Sequence, residues 1–250
     1  MKRLLTNTAL TAFAALCTNI HAVAQSDLPK YELGVNVGLL MYQGDLAEEK
    51  LGSVRTQKFT LGLHASRIIS SSFSFRANLA FGKLKGDDAI YDNPEFRQER
   101  NFNFTTPVTE LTGQLIWNIT RSNYADKGFS PYLFAGTGFA FLKIKRDWSN
   151  FNAAYFGETS PVIAGLAADS AHNLPRVIPV FPVGAGIKYF LTPNWGVNAE
   201  TSYRIATTDY LDGFSQAANT TKKDNYMGYS IGIIYRNGNK NRLGCPVIRY

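Results

Sequence analysis

The stretch Trp195-Gly196-Val197-Asn198-Ala199-Glu200-Thr201-Ser202-Tyr203-Arg204-Ile205-Ala206 alternates in chemistry from one residue to the next. Trp195, Val197, Ala199, Tyr203 and Ile205 fall on one face of an extended chain, and Asn198, Glu200, Ser202 and Arg204 fall on the other. A period of two is the mark of a β-strand with one apolar face; a helix of period 3.6 would scatter the same residues around its axis. The same alternation recurs on both sides of this stretch. In Tyr31–Tyr42 the apolar face is Tyr31, Leu33, Val35, Val37, Leu39 and Met41, with Glu32 and Asn36 opposite. Phe59–Ser66 sets Phe59, Leu61 and Leu63 against Thr60 and His64, and Phe73–Lys83 sets Phe73, Phe75, Leu79 and Phe81 against Arg76 and Asn78. Val108–Ile119 sets Leu111, Leu115, Trp117 and Ile119 against Glu110, Thr112 and Gln114. Ser130–Lys143 is apolar on both sides, Val177–Leu191 sets Phe181, Val183, Ile187 and Tyr189 against Lys188, and Asn225–Arg236 sets Tyr229, Ile231, Ile233 and Tyr235 against Ser230 and Arg236.

These are eight strands of about ten residues each, the length that a tilted strand needs to cross a bilayer. Roughly 14, 24, 34 and 18 residues follow strands one, three, five and seven, and roughly 3, 10 and 4 follow strands two, four and six. Long loops at one end and short turns at the other are the pattern of an outer-membrane barrel, with the short turns and both termini periplasmic. A soluble β-sandwich would also hide one face of each strand. Two features weigh against it. The polar face is rich in Gly, Ser and Asn, which suits a narrow lumen. The apolar face is aromatic near its ends, at Tyr31, Phe59, Phe73, Trp117, Tyr189, Trp195 and Tyr235, as interfacial girdles require. The expected fold is all-β: an eight-stranded, antiparallel, up-and-down transmembrane barrel in the bacterial cell outer membrane.

The start of the chain agrees with export. Lys2 and Arg3 precede a short apolar run, Leu10–Cys17, and Ala22-Val23-Ala24 puts small residues before Gln25. Residues 1–24 read as a secretory signal peptide, since so short a run cannot span ~30 Å of hydrocarbon. Residues 25–236 form the barrel and 237–250 a basic periplasmic tail. Removing Lys2 and Arg3 from 26 basic residues leaves 24 against 19 acidic ones, a net of +5. No later stretch is apolar enough for a transmembrane helix. Aromatics make up 13% of the chain and charged residues 18%, which excludes a disordered chain. Two Cys and three His cannot build a four-ligand zinc cluster of standard spacing.

Eight strands enclose a space just wide enough for side chains. Glu32, Arg76, Glu110, Lys188, Glu200, Arg204 and Arg236 are the candidate lumen charges. Both signs are present, so the expectation is a paired network that fills the barrel, because an unpaired buried charge is destabilising. No catalytic residues are expected. His64 lies on a polar strand face and His172 in the longest loop, and neither has a serine or aspartate at a spacing that fixes a triad. The glycines of strands five and six lack the strand–turn–helix setting of a phosphate loop. Positive charge is spread along the chain apart from Lys143-Ile144-Lys145-Arg146 and Lys222-Lys223, so no nucleic-acid partner is expected; lipopolysaccharide-facing or solvated charge explains both groups. The carboxylates near the loops show no calcium-loop spacing, so no metal is expected. Cys245 is the single cysteine after the leader. A lone thiol in an oxidising compartment is a candidate for an intermolecular disulfide.

Several dense motifs sit where strands meet the long loops: Tyr42-Gln43-Gly44-Asp45-Leu46, Gly86-Asp87-Asp88, Arg100-Asn101-Phe102-Asn103-Phe104 and Thr208-Asp209-Tyr210-Leu211-Asp212. Two more lie within strands, Ser130-Pro131-Tyr132-Leu133-Phe134-Ala135-Gly136 and Pro182-Val183-Gly184-Ala185-Gly186-Ile187-Lys188, and Cys245-Pro246 closes the tail. Taken in order, from about Tyr31 to Cys245, these motifs resemble the PorG-like outer-membrane barrels of the type IX secretion system of Bacteroidota. Gly44, Asp45, Asp209, Tyr210 and Asp212 carry the family pattern, while the third outer loop, Ile144–Arg176, departs from it. The resemblance implies a non-enzymatic membrane anchor or scaffold without cofactor. Its expected partners are outer-membrane lipid and the periplasmic ring proteins or lipoproteins of a protein-secretion, gliding-associated machine; no small-molecule substrate is expected. The alternative is a standalone barrel of the OmpX or OmpA kind that binds a ligand or host surface through its long loops.

Overall fold

A computed structural model describes residues 29–47, 53–218 and 224–237. The expected signal peptide and all of the expected tail but Asn237, which ends the last strand, lie outside the described residues, Cys245 among them. Among the described residues there are nine strands: β1 Tyr31–Gln43, β2 Lys58–Ile68, β3 Phe73–Asp87, β4 Asn103–Asn118, β5 Gly128–Leu142, β6 Lys145–Asp147, β7 Val177–Phe190, β8 Trp195–Ala206 and β9 Asn225–Asn237. Eight of them close a barrel. β1 pairs with both β2 and β9, the chain order runs on through neighbours, and β3 pairs with β4 to complete the ring. All pairings are antiparallel. Closure matters because an open strand edge in lipid would leave N–H and C=O groups with no partner.

The two faces of the strands are inverted relative to a soluble protein. Along β1, Leu33 is 56% exposed while Glu32 beside it is 1% exposed. The same holds at Leu111 and Glu110 on β4, at 54% and 2%. The apolar stripes therefore face lipid, and the polar stripes face one another across the lumen. Aromatic pairs mark the short-turn end of the lipid face, with Phe129 4.8 Å from Tyr189 and Trp195 edge-on to Tyr235 at 5.0 Å between centroids. Within the lumen, Tyr132 and Phe134 of β5 stand opposite Gly186 and Gly184 of β7. A Cβ on either glycine would come within 2.5 Å of the ring it faces, so the glycines of that strand are the floor on which two aromatic rings lie.

At the long-loop end the structure departs from the expected strand limits. β3 runs to Asp87 instead of Lys83, and β4 begins at Asn103 instead of Val108, pairing as far as Asp87 with Asn103. The short strand β6 adds to the outer end of β4, so the Gly86-Asp87-Asp88 and Arg100–Phe104 motifs belong partly to a sheet extension and not to loops alone. The reason is burial. Leu84, Phe104 and Thr106 point inward from the extension and are fully covered by a second apolar core that sits above the lumen. That core gathers Tyr42, Leu46, Phe102, Leu211, Phe214 and Tyr226 from loops and strand ends that are distant in sequence. Phe102 stacks on Phe214 at 4.4 Å, and Tyr42 meets Phe104 edge-on at 4.8 Å. Among the described residues, three short α-helices complete this cap: α1 Phe96–Arg100, α2 Ala153–Phe156 and α3 Pro161–Ala171. α3 starts where Ser160 accepts a hydrogen bond from the N–H of Val162 and Pro161 occupies the first helical turn.

The inverted faces make a direct prediction. Leu111→Arg, midway along the lipid face of β4, should destabilise the folded barrel in lipid vesicles by about 2–4 kcal/mol, measured by reversible urea unfolding. The same substitution at Phe96, an exposed cap residue, should cost under about 1 kcal/mol.

Candidate functional site

The lumen charges form pairs that reach across the barrel. Arg76 on β3 contacts Glu200 on β8 at 2.6 Å. Lys188 on β7 contacts Glu32 on β1 at 2.5 Å, and Arg204 on β8 contacts Glu110 on β4 at 3.1 Å. None of these strand pairs is adjacent in the barrel wall. Each pair is thus a strut between opposite walls and not a contact between neighbours. Sequence reading missed Tyr132, whose hydroxyl donates to the same Glu200 oxygen that Arg76 holds, and whose ring lies beneath the Arg76 guanidinium at 5.5 Å. The missed signal was its place on the inward face of a strand that is apolar on both sides.

Arg236 behaves differently. It forms no ion pair among the described residues. Its guanidinium donates to the carbonyls of Asn123 at 3.0 Å, Ala125 at 2.7 Å and Pro193 at 3.0 Å, and lies 3.9 Å from the Phe190 ring centre. One side chain therefore ties the two turns that precede β5 and β8 into a floor at the short-turn end. Between the floor and the cap, Asn36, Thr60, Asn78, Gln114 and Ser202 line a polar void of about 40 Å³. That volume suits a few waters and not a diffusing solute. Asn36 Oδ1 and Gln114 Oε1 have no protein partner and are groups that such waters would satisfy. His64 faces this interior under Gly34, where a Cβ would touch its ring, and its Nε2 has no partner. His172 instead stacks on Tyr210 at the surface of the cap, 4.1 Å between centroids.

The motif residues from the first and fourth long loops meet at the centre of the cap. The Tyr42 hydroxyl lies 2.8 Å from Asp212 Oδ2 and 2.5 Å from Asp224 Oδ1. A phenol has one proton, so it can donate to only one of these carboxyl oxygens. The other short oxygen–oxygen contact needs a proton on an aspartic acid. Gly44 is required above this trio, because a Cβ there would fall 2.0 Å from the Tyr42 hydroxyl and 2.1 Å from Asp224 Oδ1. Asp212 also accepts the N–H of Phe214 at 2.8 Å, and Asp224 accepts that of Leu211 at 3.0 Å. Burial pushes both carboxyls well up from the usual carboxylate range, and the nearby Asp45 and Asp209 add to the effect.

The remaining motif residues brace the fourth loop internally and fasten it to the third. Asp209 accepts a hydrogen bond from the Ser215 hydroxyl at 2.6 Å. The Tyr210 hydroxyl reaches Asp169 at 3.3 Å. Asp169, at the end of α3, also accepts the backbone N–H groups of Ser215, Gln216 and Ala217 at 3.1, 3.1 and 2.9 Å. Asp169 and Asp224 were not legible as site residues, since one lies on a short helix of the third loop and the other at the end of the fourth loop, and each gains its role only from segments distant in sequence or in the same loop. The geometry assembled here is a lock, with carboxylates holding loop backbone. Among the described residues, no group of three or more His, Cys, Asp or Glu side chains is arranged to hold a metal.

A closed barrel, an apolar belt and a polar, strutted lumen define a transmembrane protein of the bacterial outer membrane. Residues 8–236 match the model of the outer membrane protein beta-barrel domain family, and the chain belongs to that family. No curated protein sequence matches it. Its fold is similar to that of Neisserial surface protein A, at 14% identity over 83% of this chain and 97% of that one, with a TM-score of 0.46. It is also similar to OprG from Pseudomonas aeruginosa, at 10% identity over 86% and 100% and a TM-score of 0.43. A third similar structure is Ail, the attachment invasion locus protein of Yersinia pestis, at 11% over 84% and 99% and a TM-score of 0.41.

The carboxylate lock sets the sign of a pH dependence. The acid forms of Asp212 and Asp224 are favoured in the folded cap, so the folded state holds more protons than the unfolded one above the ordinary aspartate value. Cap stability should therefore be greatest at low pH and fall as pH rises from about 4 toward the raised folded values. Trp148, 6.1 Å from Phe214, reports on it by fluorescence when Trp117 and Trp195 are replaced by Phe. The thermal midpoint should drop between mildly acidic and alkaline buffer, and Asp224→Asn should flatten that drop. A midpoint that rises with pH would contradict the assignment.

Proposed function

We propose that the protein is a non-enzymatic outer-membrane anchor that works as a scaffold component of a type IX protein-secretion, gliding-associated assembly. The observation that carries the anchor reading is the filled lumen. Three cross-barrel ion pairs, a floor tied by Arg236 and an apolar cap leave the outer surfaces as the parts that can act. A solute path would need all three layers removed. An acyl-transferring or hydrolysing role would need an imidazole beside a nucleophile or carboxylate, whereas His64 is enclosed in the lumen and His172 is stacked on Tyr210.

The secretion role rests on the motif resemblance. In support of it, four residues of the family pattern, drawn from two loops, make contacts within the cap: Gly44 and Asp212 pack against the Tyr42 hydroxyl, Asp209 accepts from Ser215, and Tyr210 reaches Asp169. On this reading the barrel meets periplasmic ring proteins or lipoproteins through its short turns and the 237–250 tail, with Cys245 as the covalent contact.

The test is a non-reducing immunoblot of outer membranes from wild type and Cys245→Ser, with mass spectrometry of any shifted band. The expected result is a higher-mass species that contains a periplasmic secretion component and disappears in the variant. Deletion of residues 238–250 should abolish co-purification of that component. A barrel that migrates only as a heat-modifiable monomer and co-purifies with no periplasmic protein would overturn this role and favour the standalone surface barrel.

A further inference from the structure

The outward face of the β3–β4–β5 sector carries a block of lysines just beyond the apolar belt. Phe81 of β3 and Phe141 of β5 flank Thr109 of β4 from either side. One step outward, Lys83 lies opposite Pro107 from β3, and Lys143 donates its backbone N–H to the Pro107 carbonyl at 3.1 Å from the other side. One step further, Lys85 and Lys145 flank Thr105 in the same way. Side chains two apart on a strand share a face, so each lysine column continues the column of its phenylalanine. Strands stand ~4.8 Å apart and alternate residues rise ~7 Å, so the four Cα atoms occupy a patch of roughly 10 by 7 Å. Flexible four-carbon stems can bring those ammonium groups together over one small anion.

Lys83, Lys143 and Lys145 are exposed, and none forms an ion pair with a described residue, while Lys85 is held by Asp87 at 3.0 Å. Exposed Arg176 lies beside the block, its carbonyl accepting the N–H of Leu142 at 2.8 Å. Asp87 and Asp147, both opposite Asn103, form the next row out and bound the cationic patch on the side away from the membrane. Among the described residues, the strand ends across the barrel are uncharged at the same height: β1 ends in Gln43 paired with Asn225 of β9, and β8 continues into Thr207.

We propose that this block binds the phosphate group of a lipid headgroup in the outer leaflet, that of a phosphorylated glycolipid. Its placement selects a lipid over a free anion. The cations stand where the apolar belt stops, so a molecule that lays acyl chains along Phe81, Phe139 and Phe141 presents its headgroup phosphate at the height of Lys83 and Lys143. The ammonium groups would then gain charge-assisted contacts that solvent does not match.

The test uses the full mature barrel purified in detergent, with native mass spectrometry of bound bisphosphorylated lipid A, the same lipid A stripped of phosphate, and inorganic phosphate as a competitor. Wild type should retain the phosphorylated lipid and release the stripped one. Lys83→Gln/Lys143→Gln/Lys145→Gln should weaken retention by on the order of a hundredfold, since each basic residue near an anionic surface contributes about a fivefold factor. Arg121→Gln/Lys127→Gln, at the short-turn end, should stay within about twofold of wild type. Heat-modifiable migration checks folding, and the single exposed variant Lys143→Glu, expected to lose on the order of tenfold or more, stands in if the triple variant does not fold. Equal retention of both lipids, unchanged retention by the folded lysine variants, or full displacement by millimolar inorganic phosphate would each overturn the proposal.

Discussion

The structure depends on one constraint: a narrow, closed barrel in lipid must turn its polar stripes inward, into a space too small to hydrate them. Alternation then leaves no freedom. A one-residue slip of any strand would put its charges in hydrocarbon and its leucines in the lumen. Once inside, each charge needs a partner, and the partner comes from the opposite wall. Arg76 with Glu200, Lys188 with Glu32 and Arg204 with Glu110 tie β3 to β8, β7 to β1 and β8 to β4. Such buried pairs are weak sources of net stability, but removing one partner costs about 3–5 kcal/mol because the other is stranded. They act as a register check on the whole wall.

The two ends of the barrel are closed by different means. At the short-turn end, a single guanidinium gathers backbone carbonyls from two turns, a task suited to five donors in a rigid plane. At the long-loop end, the closure is built like a small soluble domain. An apolar core is shielded by helices, and the sheet extension of β3, β4 and β6 gives it a wall. Buried carboxylates do there what Arg236 does below, with the opposite sign: Asp169, Asp212 and Asp224 collect backbone N–H groups of the fourth loop. Covering Tyr42, Asp212 and Asp224 in a dry core is what makes a proton part of the lock.

Reading outward from Trp195–Ala206 makes the barrel legible, because a membrane strand states its two environments residue by residue. The seven candidate lumen charges could be drawn from the sequence for the same reason; each sits at an inward position of a regular strand. The cap could not. Its strands extend past the membrane, where the alternation at Leu84, Phe104 and Thr106 continues but reports a protein core and not a lumen. Its key groups, Asp169 on the short helix α3 and Asp224 just before β9, lie between wall strands, where the two-residue alternation does not run. Tyr132 lay in a strand whose two faces are both apolar, so its inward hydroxyl gave no contrast to read.

The sequence alone determined the strand pattern, the count of wall strands, the alternation of long and short connections and the set of charges that must share the lumen. All of these follow from local periodicity under the single requirement that backbone and charge be satisfied within a bilayer. Only the tertiary structure decided which charge meets which. Partners such as Arg76 and Glu200 lie 124 positions apart and are joined by closure of the ring, which no local pattern encodes. It also decided that the loops form a folded lid, because the contact of Tyr42 with Asp212 and Asp224 exists only once both ends of the barrel wall have been brought to the same rim.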